Sequence, residues 1–97
     1  MIVPFEKLSP KSRVWIYPSN RPFLDSDIKS IKNSLIVFLS SWTAHNQDLE
    51  AAFDLPYNRF IIIGLNQEQT RASGCSIDAS VHFIQKLEQK LDLILLD

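Results

Sequence analysis

Apolar residues recur at Ile28, Ile31, Leu35, Phe38 and Trp42, the 3-4-3-4 spacing that lines one face of an α-helix. Asp25 supplies an N-cap for that helix and leaves Asp27 in its positive first turn. Lys29, Lys32 and Asn33 fall off the stripe, whereas Ile36 and Leu39 widen it. A second stripe of Ile77, Val81, Ile84, Leu87 and Leu91 predicts another helix, beginning at Cys75 or Ser76. Shorter runs around the helices carry strand chemistry. Arg13–Tyr17 is rich in β-branched and aromatic residues and is closed by Pro18. In Leu49–Leu55, Ala51, Phe53 and Leu55 alternate with Glu50, Ala52 and Asp54, the period of a half-buried strand. Pro56-Tyr57-Asn58 predicts a tight reversal into Arg59–Leu65, the most apolar run and a natural central strand. His45-Asn46-Gln47-Asp48 reads as a polar loop, and Leu93–Asp97 as a last strand.

The resulting order, strand-helix-strand-strand-helix-strand, is the ferredoxin-like βαββαβ plan, an α+β sandwich with two helices on one face of a four-stranded antiparallel sheet. Right-handed crossovers place the first and third strands at the centre and leave Leu49–Leu55 and Leu93–Asp97 at the edges. Another α+β sandwich is the alternative. In this plan Val14 and Ile16 point toward the helices, and Arg13, Trp15 and Tyr17 point to the open face. Either Phe60 and Ile62 or Ile61 and Ile63 share that open face. An apolar patch of this size implies a covering partner. Unpaired bases, a second subunit or further chain could each cover it.

Composition narrows these choices. The 97 residues carry ten Lys and Arg against eleven Asp and Glu, a net charge of −1, with 45% hydrophobic and 22% charged side chains. That describes one domain over residues 1–97 and excludes collagen-like, disordered and disulfide-stapled classes. Base stacking needs a basic footprint that the charge balance lacks, so the sheet face is expected to meet protein rather than nucleic acid. A single cysteine fits a reducing compartment. No apolar run approaches the roughly 20 residues that span a bilayer, and no export signal is present, so the expected location is cytoplasmic.

The most chemically suggestive stretch is Arg71-Ala72-Ser73-Gly74-Cys75-Ser76-Ile77-Asp78. Gly74 permits a tight turn before the helix. A thiol at a helix N-terminus has its thiolate stabilised by unpaired amides, and Arg71 could add to this. The same amides could hold a phosphate or carboxylate. Cys75, Asp78 and His82, spaced by three and four residues, could form a weak metal site on one helical face. Against these stands plain capping: Ser73 or Ser76 closes the helix, Asp78 answers its dipole, and Cys75 fills a small space. The Asp78–His82–Gln85–Gln89 face is the solvated side of the helix, and no cofactor or metal is expected. Five residues after Cys75 stands Val81 rather than the Arg of a phosphatase cradle, and Gly64 and Gly74 are not followed by the Lys of a P-loop. No Gly-x-Ser-x-Gly elbow occurs.

The segments Arg13-Val14-Trp15-Ile16-Tyr17-Pro18, Tyr57-Asn58-Arg59-Phe60 and Ala72-Ser73-Gly74-Cys75-Ser76-Ile77-Asp78 resemble a family of small uncharacterised bacterial proteins often labelled "ABC transporter ATPase". The similarity runs from Val3-Pro4-Phe5 over the whole chain. ATPase activity is not implied by the residues, because the P-loop, the acidic metal-binding strand and the LSGGQ-like signature are all missing. The resemblance implies a chain that continues beyond Leu96-Asp97 with strand-rich sequence, and it carries no catalytic residues.

Two functional expectations follow. The first is a non-enzymatic interaction module whose sheet face, through Arg13, Trp15 and Tyr17, packs on protein, either a second copy or further chain. The second is a small-anion binder or thiol-dependent enzyme using Arg71, Ser73, Gly74, Cys75, Ser76 and Asp78.

Overall fold

A computed structural model describes residues 1–68 and 70–95. The elements are β1 (Arg13–Pro18), α1 (Asp25–Ser40), β2 (Thr43–Ala44), β3 (Gln47–Asp48), β4 (Glu50–Asp54), β5 (Phe60–Asn66) and α2 (Gly74–Leu91). The fold is α+β. Three antiparallel strands form the main sheet in the order β1-β5-β4, and β2 and β3 pair separately as a small hairpin.

The second helix begins where its cap chemistry directs. In α2 the Ser73 hydroxyl accepts the Ser76 amide at 3.1 Å, while the Ser76 hydroxyl accepts the Ser73 amide at 2.8 Å. This reciprocal closure satisfies donors that would otherwise be orphaned. In α1 the cap is shifted by one residue from expectation: Leu24 precedes the helix, and its amide donates to the Asp27 carboxylate at 2.9 Å. The α2 C-terminus closes with Asp92 in the left-handed region, at φ 53°.

Helix packing follows the α1 stripe only in part. Ile31, Leu35 and Leu39 are fully buried, but Ile36 is 47% exposed and Trp42 lies beyond the helix end. In α2 the buried positions are Ser76, Ser80, Ile84 and Leu87, and Val81 is exposed where the apolar stripe placed it inside. Small side chains make room there for Trp42, whose indole donates to the Ser76 carbonyl at 2.9 Å. Volume, rather than hydropathy, sets which face of that first half turns inward.

The polar loop expected at 45–48 is instead a tight hairpin. Ala44 pairs with Gln47 across His45 and Asn46, both with positive φ (53° and 60°), the backbone that a two-residue primed turn requires. The terminal strand expected at Leu93–Asp97 is represented among the described residues by one antiparallel bridge, Ser19 to Leu95, and Leu96 and Asp97 lie outside them. The four-stranded plan therefore appears as three strands and a single bridge. No helix among the described residues is long and apolar enough to cross a membrane.

One apolar cluster fills the space between the helices and the sheet, joining Leu35 and Leu39 to Ile61, Ile63, Leu65 and Ala51. The other face receives the N-terminal segment. Residues 1–3 lie along the free edge of β4, where the Met1 carbonyl accepts the Ala51 amide and the Val3 amide donates back to the Ala51 carbonyl, at 2.9 and 2.8 Å. A single 3-10 turn at Phe5–Lys7 then leads toward β1.

Candidate functional site

Register decides which side chains each sheet face presents. Trp15 pairs with Ile63 and Tyr17 with Ile61, so these four share a face, while Val14 pairs with Gly64 and Ile16 with Ile62 on the other. Ile61 and Ile63 lie beneath the helices, and Tyr17 is only 4% exposed. Trp15 meets Trp42 edge-on, with ring centroids 6.1 Å apart. Arg13 stays at the surface, its guanidinium 4.6 Å from the Trp15 ring centre.

This reverses the expected orientation of β1. Arg13, Trp15 and Tyr17 are on the helix-covered face, and Val14 and Ile16 form the open one. Both alternate sets of β1 are apolar, so its period cannot choose between them. The larger aromatics bury more area inside, where there is depth to accept them. Gly64 carries the complementary signal on β5. A Cβ at that position would sit 2.5 Å from Leu8 Cδ2 and 3.4 Å from Phe5 Cε2, so its missing side chain is what lets the N-terminal segment seat on the outer face.

That seat covers only part of the face. Val14 and Ile16 remain 48% and 50% exposed. Ile62 and Phe60 beside them are half-buried. At the end of this surface Tyr57 is 89% exposed and meets the Phe60 ring edge-on at 6.3 Å. Tyr57 holds φ 59° and ψ 17°, a left-handed backbone that disfavours a bulky side chain. The expected turn at 56–58 is present, but its strained residue is the tyrosine as well as Asn58, at φ 52°.

The Arg71–Asp78 stretch comes together only at its cap. Ser73 and Ser76 bond each other as described, whereas Arg71, Gly74, Cys75 and Asp78 are all exposed. Gly74 is the first residue of α2, has no positive φ, and would meet nothing within 4 Å if it carried a Cβ. The tight turn ascribed to it is therefore not needed. Among the described residues, no three His, Cys, Asp or Glu side chains converge to hold a metal, so Cys75, Asp78 and His82 do not assemble as their spacing allowed.

Arg21 is a contact residue that periodicity could not reveal. It donates to the Asp27 carboxylate at 2.8 Å and to the Leu91 carbonyl at 3.0 Å, tying the start of α1 to the end of α2. The hydrogen bond from Arg21 and the Leu24 amide hold the Asp27 carboxyl below the usual carboxylate range, against a smaller opposing effect of burial. Its signal in the sequence was an Arg six residues before a first-turn Asp, a spacing with no regular element to interpret it. No protein-family model, curated protein or solved structure matches the chain.

Proposed function

We propose that the chain is a non-enzymatic protein-interaction module that docks through its outer sheet face. The observation that carries this reading is the exposed row Val14–Ile16, continued by Ile62 and Phe60 to the strained, exposed Tyr57. Adjacent half-exposed aliphatics on a flat strand surface lose free energy in water and recover it against another apolar face. The simplest occupant is a second copy, because a two-fold axis sets the same apolar row against itself. The resemblance to small bacterial proteins and a cytoplasmic location belong to the same proposal.

A ferredoxin-like architecture is also part of it. The β1-β5-β4 order supports that plan, with β1 and β5 adjacent and β4 at an edge. The Ser19–Leu95 bridge supports it further, since it brings the chain to the edge of β1 where the plan's fourth strand lies. Sedimentation across a concentration series tests the docking surface. Association is expected, and Ile16→Lys should abolish it without lowering the melting temperature. A chain that stays monomeric throughout, or an Ile16→Lys variant that associates normally, overturns the reading.

The alternative, an anion- or thiol-dependent site, is favoured by one observation, the exposure of Cys75 at the second position of α2. It predicts that a thiol probe labels Cys75 faster in the folded chain than in denatured chain at neutral pH. Equal rates dismiss it.

A further inference from the structure

The helix layer carries a second apolar surface, on the opposite side of the molecule from the outer sheet face. The helices run antiparallel, since Arg21 joins the first turn of α1 to the last carbonyl of α2. They do not close along their length. Between them lies a shallow, open groove of about 530 Å³ whose lining includes Ser34, Val37, Phe38, Ser41 and Phe83. Its floor is a stacked pair, Phe38 on Phe83, with centroids 4.6 Å apart and planes 15° apart. Toward the C-terminal end of α2 it runs into a smaller hollow of about 160 Å³ flanked by Lys86 and Lys90.

Two independent observations say what this groove is suited to hold. The first is Val37, which lines the groove and is 73% exposed. A β-branched valine loses rotamer freedom in a helix, and covering its exposed surface recovers apolar free energy. The second is charge. The ammonium groups of Lys86 and Lys90 flank the smaller hollow, and among the described residues neither hollow is lined by a carboxylate, in a chain whose net charge is −1. The groove is therefore neutral along its floor and cationic at the end that meets the smaller hollow.

We infer that this groove binds an acidic amphipathic helix of a partner protein. Its walls are helices, so no sheet edge is available to bond an extended peptide's main chain, whereas a helical ligand satisfies its own backbone. The stretch from Ser34 of α1 to Ser41 just past its end spans about 11 Å, enough for apolar anchors at i, i+4 and i+7 of the ligand. Those anchors rest on Val37, Phe38 and Phe83, and the ligand's carboxylates reach Lys86 and Lys90. An acyl chain is a poorer fit, because an open groove leaves much of it wet.

The test is fluorescence polarisation with three labelled peptides of identical apolar residues. One carries a glutamate flank, one a lysine flank, and one the glutamate flank interrupted by proline. The glutamate peptide should bind on the order of tenfold more tightly than either other. The double variant Lys86→Glu, Lys90→Glu should reverse the charge preference, and Val37→Asp should abolish binding while leaving the circular dichroism unchanged. Ile16→Lys should bind like the parent chain, which keeps this result separate from the fate of the sheet-face reading. Equal binding of the acidic and basic peptides, equal binding of the proline peptide, or indifference to Val37→Asp overturns the inference. So does capture by anionic vesicles in place of the peptide, which would assign the lysines to a membrane surface.

Discussion

On the inner face of the sheet Ile61, Ile63 and Leu65 are at most 1% exposed beneath two helices of 16 and 18 residues. On the outer face Val14 and Ile16 are half exposed beside Ile62, under a short segment tied to the β4 edge by main-chain bonds at residues 1–3. The residue types on the two faces are similar, yet their cover differs in kind. Helices bring their own apolar stripes and bury area on both partners, whereas the N-terminal segment sets Phe5 and Leu8 over Gly64 and leaves Val14 and Ile16 half exposed. Similar chemistry thus stabilises the fold on one side and leaves a half-exposed apolar surface on the other.

Substitutions at adjacent positions of β5 give the largest test of this division. Ile63→Ala removes a fully packed side chain and should cost about 2–5 kcal/mol, read from chemical denaturation. Ile62→Ala, one residue away on the half-covered face, should cost below about 1 kcal/mol. Equal costs would break the comparison by showing that the outer face is packed as tightly as the inner.

How far this division was legible follows from where the alternation is one-sided. On β4, Glu50 and Asp54 mark the outer side and Ala51 is buried as the pattern requires, but Ala52, which the pattern set with Glu50 and Asp54, is fully buried as well. On β1 both sides are apolar, and the expected orientation came out inverted. The lone glycine of β5 was the missing guide, because its meaning depends on Leu8, a residue distant in sequence. The burial of Ser76 in α2 was illegible for a related reason: Trp42 reaches its carbonyl from a distant part of the chain, which its own hydropathy does not encode. The strand order β1-β5-β4 was readable because the helix stripes and the turn at Pro56 leave few ways to connect the runs.

Acid provides a middle-sized test, directed at the helix layer alone. The native Asp27 pKa is depressed, so its contribution to stability is complete above the ordinary carboxylate value. It is lost as the pH falls below about 4, through the native value. Asp27→Asn should remove this acid-dependent part and cost about 1 kcal/mol at neutral pH, a modest figure because the Arg21 guanidinium is partly solvated. Trp15 and Trp42 both lie on the inner side, so tryptophan fluorescence reports unfolding of the helix layer as the pH falls. A variant with the acid profile of the parent chain would show that the Arg21–Asp27 bond does not hold the helix layer.

The smallest expected effect has the opposite sign. Tyr57 occupies a left-handed backbone that glycine adopts freely, and its side chain is almost wholly exposed. Tyr57→Gly relieves strain of about 1 kcal/mol while giving up little more than the edge contact with Phe60. The variant should therefore melt slightly higher than the parent chain and associate less through the outer face. Such opposed changes are what a residue kept for recognition at a cost in stability would show. A Tyr57→Gly chain that is less stable would mean that the Tyr57–Phe60 contact outweighs the backbone strain, and the tyrosine would then belong with the structural residues rather than with the docking surface.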